Sequence, residues 1–450
     1  MIMKRLPFVL AAAFVCCTCF GSNPVIRVEG GLVRGVKEGK VTVFKGIPYA
    51  APPVGELRWR APQPVLPWQG VRVCDRFGDI AMQADKETDG FYTKEFYSEG
   101  IPQRSEDCLY LNVWAPSKAV GKSSRKLPVA LWIHGGGFNA GFSNEITMDG
   151  TQWAKRGVIL VSINYRLGIL GFLGGNYGIQ DQMAALKWVH DNISVFGGDP
   201  GNITLVGQSA GALSIKQLVA SPLSKEYIAK AIIQSGGGLA EAGPSSENAD
   251  RKVSDGHELA QEAGYGSVEE MRRVPYAELE AKLQPAIMGM LLKALTEGKD
   301  ALGALVTVPH WDGVVVDKDF DTAVYDGSVA DIPYLIGSVT ADGETLGGEG
   351  VRRFSHFRNA HSSNRAYSYL FTRNLPGDDD DPAADSGAFH SAELWYMFGT
   401  LDRSWRPFTD ADHELSERML DAWTSFCKNG NPGWAPDTES APYIKTFDIQ

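Results

Sequence analysis

Residues 196–211 read Phe-Gly-Gly-Asp-Pro-Gly-Asn-Ile-Thr-Leu-Val-Gly-Gln-Ser-Ala-Gly. The short run Ile203 to Val206, rich in β-branched residues, feeds straight into Gly207-Gln208-Ser209-Ala210-Gly211, and the small apolar residues Ala212 to Val219 suit a helix. This strand–turn–helix context is what gives a G-x-S-x-G motif its meaning. So sharp a turn leaves no room for a Cβ on either side of it, hence Gly207 and Gly211. It lifts the Ser209 hydroxyl clear of the sheet, where a base can reach it, and makes Ser209 the candidate nucleophile. The bland alternative is a serine in an ordinary βα turn. The strand, the helix and the Phe-Gly-Gly-Asp-Pro lead-in together weigh against it.

Outward from this stretch, short apolar runs read as buried parallel strands: Val129 to Ile133, Val158 to Ile163, Ala231 to Ile233 and Pro333 to Ile336. Between them, Ile179, Met183, Leu186, Val189 and Ile193 recur at helical steps, as do Leu415, Met419, Ala422, Trp423 and Phe426. Strands alternating with helices predict a doubly wound, mostly parallel α/β sheet with helices on both faces. Residues 25–47 read as an antiparallel N-terminal β-meander turning at Gly30-Gly31, and the Asp378 to Asp381 run reads as a solvated loop.

A nucleophilic serine needs donors for an oxyanion, a base and an orienting acid. Ile133-His134-Gly135-Gly136-Gly137-Phe138 follows a predicted strand and offers bare backbone N–H groups. Gly136 and Gly137, with the N–H of Ala210, are the expected oxyanion hole. Of the eight histidines, His390 stands late in the chain at a loop-to-helix junction, where the order Ser…acid…His of α/β-hydrolases wants the base. His190 lies opposite its helix's apolar stripe and reads as solvent-facing; His257, His356, His361 and His413 sit in polar surroundings, and His310 precedes a Trp-Asp-Gly turn. Asp342 leaves the carboxyl end of the strand ending at Ile336 and is the expected acid, with Glu344 as the fallback.

The 450 residues are 44% hydrophobic and 22% charged, enough for a large core. Net charge is −11 with no basic cluster, which argues against nucleic acid and anionic membrane partners. Residues 1–22 read as a secretory signal: Lys4 and Arg5 precede the apolar stretch Leu6 to Phe20, too short for an ordinary span. A secreted or periplasmic location follows, with residues 23–450 as one domain. Lipid modification at Cys16, Cys17 or Cys19 is the alternative, although the residues before each match a lipidation site poorly. No other segment is long and apolar enough to span a bilayer. Without the leader, Cys74, Cys108 and Cys427 remain, allowing one disulfide and one leftover thiol. No His, Cys and carboxylate cluster has metal spacing, and no cofactor is expected.

Together the two stretches Phe196 to Gly211 and Glu106-Asp107-Cys108-Leu109-Tyr110-Leu111-Asn112-Val113-Trp114-Ala115-Pro116 resemble the signatures of the type-B carboxylesterase/lipase family. Phe44-Lys45-Gly46-Ile47-Pro48-Tyr49-Ala50 and Pro52-Pro53-Val54-Gly55 resemble its N-terminal region, and the similarity runs from about Val25 to the C-terminus. The resemblance implies the α/β-hydrolase fold and a serine carboxylesterase acting on small-molecule esters through an acyl-enzyme. It implies Ser209 as nucleophile, His390 as base, Asp342 as acid, and Gly136, Gly137 and Ala210 as the oxyanion hole. It further implies a structural ion pair between Arg58 and Glu106 and a buried support, Glu393, below His390.

Several departures carry information. Most relatives have Glu as the acid, where Asp342 is one methylene shorter. Gln208 replaces the Glu that usually precedes the nucleophile, which favours neutral His390. Ala81 stands where the family's cysteine partner of Cys108 falls, and whether the nearby Cys74 pairs with Cys108 instead is left open. Only 390 − 342 = 48 positions separate acid and base, which predicts a shallower site than in cholinesterases. Residues 79–107 hold no Trp, and Phe91, Tyr92, Phe96 and Tyr97 are candidates either for lining the mouth or for packing. A non-catalytic, neuroligin-like binding protein on the same fold is the reading from another class, but such proteins typically lack an intact serine site. Thioester or amide cleavage by the same machinery, the natural ester and the oligomeric state are left open.

Overall fold

The computed structural model describes residues 23–85, 90–241, 256–296, 307–310, 312–377 and 387–449. Residues 1–22 and the Asp378 to Asp381 run lie outside the described residues, as does the side chain of Glu344.

Buried β-branched runs need partners for every backbone N–H and C=O, and here they find them in one ten-stranded sheet. Edge to edge its strands are Ile444–Phe447, Ala366–Phe371, Tyr334–Val339, Lys230–Gln234, Gly198–Gln208, Leu127–Ile133, Ile159–Ile163, Tyr110–Pro116, Val41–Pro48 and Val36–Glu38. Pairings are parallel from the first edge through Ile159–Ile163. Beyond that strand they are antiparallel. The expected strands are all present.

Alternation along the central strand explains the layers. Val129, Leu131 and Ile133 face one core with Ile179, Leu186, Val189, Ile215 and Leu218. Ala130 and Trp132 face the other with Trp153, Leu415, Met419, Trp423 and Phe426. The helices Tyr177–Asn192 and Asp410–Asn429 thus cover opposite faces with the apolar stripes read from sequence. Each fully buried aliphatic side chain contributes about 1.5–3 kcal/mol. From Leu127–Ile133 the chain crosses to Ile159–Ile163 on one side and returns to Gly198–Gln208 on the other. This reversal opens a crevice at the carboxyl ends of the strands, where ligands of open α/β sheets bind.

One reading needs correction, and one open question is answered. The N-terminal meander is split between sheets: Val25–Val28 and Gly31–Arg34 pair with each other and, through the latter, with Val71–Val73, whereas Val36–Glu38 and Val41–Pro48 join the main sheet. The turn does fall at Gly30, because the Trp68 ring packs where a Cβ would stand. Cys74 and Cys108 do not pair; both are buried free thiols, as is Cys427. Burial pushes the Cys74 thiol up to about 11. Among the described residues no helix is long and apolar enough to cross a membrane.

Candidate active site

Ser209 joins the strand Gly198–Gln208 to the helix Ala210–Ala220 with φ 56° and ψ −124°. A non-glycine residue there is strained, and strain of this kind clusters at functional sites. The surroundings over-determine it. Ser209 N donates to Gln234 O at 2.9 Å, and Ser209 O accepts from Leu213 N at 2.9 Å. A Cβ on Gly207 would lie 2.7 Å from the Gly211 carbonyl, and one on Gly211 would lie 2.0 Å from Ile133 O. Both glycines are therefore sterically required.

The glycine loop leaves the neighbouring strand, Leu127–Ile133, and lies against the elbow: a Cβ on Gly135 would come within 3.0 Å of Ser209 Cβ. Gly136, Gly137 and Phe138 all have positive φ, at 102°, 60° and 62°. Gly136 O accepts from Asn139 N and Ala140 N at 3.1 and 3.0 Å, which closes the turn. Gly136 and Gly137 are exposed, and among the described residues their N–H groups and that of Ala210 have no acceptor. His134 is an anchor of the loop. Its buried ring stacks on Tyr165 at 4.5 Å, its Nδ1–H donates to Gly135 O at 2.9 Å, and Tyr165 Oη donates to His134 O at 2.9 Å. Burial pulls its pKa down to about 4, so it is neutral.

Asp342 and His390 meet across two loops that are zipped together. Ala341 N donates to Ala388 O at 3.0 Å, and Ala388 N donates to Thr340 Oγ1 at 2.7 Å. His390 Nδ1–H donates to Asp342 Oδ1 at 2.6 Å, and Val339 N donates to Asp342 Oδ2 at 3.0 Å. The Asp342 side chain is only 1% exposed. Burial alone would lower the His390 pKa, but the hydrogen bond to Asp342, its charge and that of Glu393 outweigh it and raise the value. With the proton on Nδ1, Nε2 is an acceptor, and the Gln208 side-chain amide donates to it at 3.1 Å. Ser209 Oγ has no hydrogen bond among the described residues. The structure thus brings Ser209, Gln208, His390, Asp342 and the glycine loop to one crevice. The contact between Gln208 and His390 is closer than sequence suggested, since a charge argument carries no geometry.

Beneath the imidazole, Glu393 is fully buried and accepts from Gln234 Nε2 at 3.3 Å, while Gln234 Oε1 accepts from Trp423 Nε1 at 3.0 Å. Burial, then the charge of Asp342, push its carboxyl up to about 7. Arg58 and Glu106 form the expected fork, at 2.7 and 2.5 Å, and Arg58 also donates to Met271 O and Val274 O. Of the candidate mouth residues, Phe96 is buried, Tyr97 donates to Glu145 at 3.0 Å, and Tyr92 is 44% exposed, its hydroxyl 3.4 Å from His390 O. His190 is solvent-facing beside Asp191, and His356 pairs with Asp437 at 3.0 Å, away from the crevice. Among the described residues no group of three or more His, Cys, Asp or Glu converges as a metal site.

The family model described as "Carboxylesterase family" matches residues 22–356 and 347–446. The para-nitrobenzyl esterase of Bacillus subtilis (strain 168) is 33% identical, over 91% of this chain and 91% of its own. The fumonisin B1 esterase of Sphingopyxis macrogoltabida is 32% identical, over 95% of this chain and 86% of its own. A solved thermophilic para-nitrobenzyl esterase superposes with a TM-score of 0.79 at 28% identity, over 95% of this chain and 97% of its own. The chain belongs to the carboxylesterase family and is a carboxylic ester hydrolase on the α/β-hydrolase fold.

Proposed function

We propose that the protein hydrolyses small-molecule carboxylic esters through an acyl-enzyme on Ser209. The observation that carries this reading is the His390–Asp342 bond of 2.6 Å beside a strained serine elbow. In the Michaelis complex His390 Nε2 leaves the Gln208 amide and takes the Ser209 hydroxyl proton as Oγ attacks the ester carbonyl. The oxyanion is received by the N–H groups of Gly136, Gly137 and Ala210, which have no acceptor among the described residues and need no reorganisation. Asp342 holds the tautomer and stabilises the imidazolium. The protonated imidazole returns the proton to the leaving alcohol. Water, deprotonated by His390, then attacks the acyl carbonyl and restores Ser209.

The relatives' printed names, para-nitrobenzyl esterase and fumonisin B1 esterase, support small-molecule esters as the substrate class. The leader reading of residues 1–22 supports export, with residues 23–450 as one catalytic unit. The test is hydrolysis of p-nitrophenyl esters from acetate to palmitate by the protein and by Ser209→Ala. Turnover lost in the variant upholds the reading, and the chain-length profile sizes the acyl pocket. No turnover from a folded protein on any ester refutes it.

A further inference from the structure

The helix Phe91–Phe96 carries a carboxylate that the chemistry above does not use. Glu95 and Arg406 are both wholly buried, with side chains 0% exposed, and Arg406 Nε donates to the two Glu95 oxygens at 3.0 and 2.9 Å. Taking two charges out of water is expensive, and an apolar pair of similar volume is often as stable. Retaining the ions here therefore invites the question of what they hold. Their other contacts answer it. Glu95 Oε1 also accepts from Trp395 Nε1 at 2.6 Å, five residues after His390. The Arg406 guanidinium lies 5.2 Å from the ring centre of Phe389, immediately before His390, and donates through Nη1 to Pro376 O at 3.1 Å. Phe91, from the same helix as Glu95, meets Phe389 edge-on at 5.0 Å. One ion pair thus grips both flanks of His390, in addition to the Thr340 and Ala341 contacts that bind Ala388.

We propose that the Glu95–Arg406 pair is a positioning clamp that fixes the His390 segment, and with it the direction of the imidazole toward Ser209. The clamp rests on the hydrolase reading above. An ion pair suits this task better than an apolar contact. The planar guanidinium fixes direction through the rigid spread of Nε, to Glu95, and Nη1, to Pro376 O, and through its face toward Phe389, whereas apolar side chains fill volume without specifying angle. Misplacing a catalytic group by about 1 Å can reduce the rate by about a hundredfold.

The test uses the full-length protein as Glu95→Met/Arg406→Met, which removes both charges and leaves neither unpaired, and as Arg406→Lys, which keeps the charge but loses the planar spread of Nε and Nη1 donors. Two readouts are taken: kcat and KM on p-nitrophenyl butyrate, and the downfield proton resonance of His390 Nδ1–H. In the double variant kcat is expected to fall by about tenfold or more with KM within about twofold, and the resonance to shift or broaden. Arg406→Lys is expected to fall between it and the parent on both readouts. A folded double variant with unchanged kcat and resonance overturns the clamp. If the double variant does not fold, an unchanged Arg406→Lys overturns it alone. Failure of the hydrolase reading is separate: the parent protein would then turn over no ester at all, while the resonance would still report on the clamp.

Discussion

Replacing Gln208 by Glu puts a negative charge where an amide now donates to the imidazole at 3.1 Å. Two contributions act with the same sign. The amide stabilises neutral His390 by donating to Nε2, and that bond is lost; the carboxylate then attracts the protonated form. Opposite unit charges about 3 Å apart attract by about 5 kcal/mol at an effective dielectric of about 20. The His390 side chain is 27% exposed, so solvent screening reduces this, and roughly a third to a half is a reasonable expectation. That corresponds to a rise of about one to two pH units in the His390 titration. On the proposed mechanism only neutral His390 accepts the serine proton, so the acid limb of kcat/KM is expected to move to higher pH. At pH 6 the variant should lose about 10- to 100-fold, while its plateau near pH 9 stays within about threefold. The assay is a kcat/KM profile from about pH 5 to 10 on a p-nitrophenyl ester in buffers of constant ionic strength. Gln208→Met, which removes the amide without adding charge, separates the two contributions and should move the limb less. A Glu variant whose limb stays in place or moves down, or one that moves no further than Met, refutes the electrostatic account.

Asp342→Asn keeps the shape of the carboxyl group but favours the wrong imidazole tautomer. It should reduce kcat by about 10⁴-fold in a folded protein, as checked by steady-state kinetics beside circular dichroism. Gly211→Ala forces a Cβ to within 2.0 Å of Ile133 O. Because that neighbour is backbone, we expect a loss of about 3 kcal/mol or more, read by urea unfolding, and the loss of activity with it. Glu393→Gln tests a buried acid whose carboxyl is pushed up to about 7. A folded value above the unfolded one means that stability is fully present below about pH 4.3 and is lost as pH rises through about 7. The Gln variant should therefore match the parent at low pH and exceed it by up to about 3 kcal/mol at pH 8, with equal stabilities at pH 8 refuting the buried-acid account.

What was legible in the sequence is what neighbours in the chain decide. The elbow shows because Gly207 and Gly211 are needed within a few residues of Ser209. The helix Tyr177–Asn192 shows because its apolar residues keep a 3.6 period. The strand Ala366–Phe371 was missed because Tyr367, Ser368 and Tyr369 break the apolar run, although all three are buried. The N-terminal meander was misjudged because pairing shows in local alternation while sheet membership does not. The charges hid for a related reason. Arg58 and Glu106 came only with the family resemblance, and Glu95 and Arg406, 311 residues apart, carry no local signal of their pairing. Lys216 is a similar case: it is buried, and its ammonium donates to the carbonyls of Gly236, Gly237 and Gly238.

The distances between the motifs come from another source. Ser209 N donates to Gln234 O, and Ser235 N donates to Gly337 O at 2.8 Å. These two bonds carry the parallel ladder from the strand that ends before Ser209 to the one that leads into Asp342. The separation of serine and acid is therefore set by sheet register, and a one-residue slip would turn every side chain to the opposite face. His390 is outside that ladder. It is placed through Thr340 and Ala341 and through the Glu95–Arg406 pair. The zipped loops, not the sheet, carry the imidazole to the Asp342 carboxylate, so on the proposed mechanism a side chain one methylene shorter than Glu still reaches it.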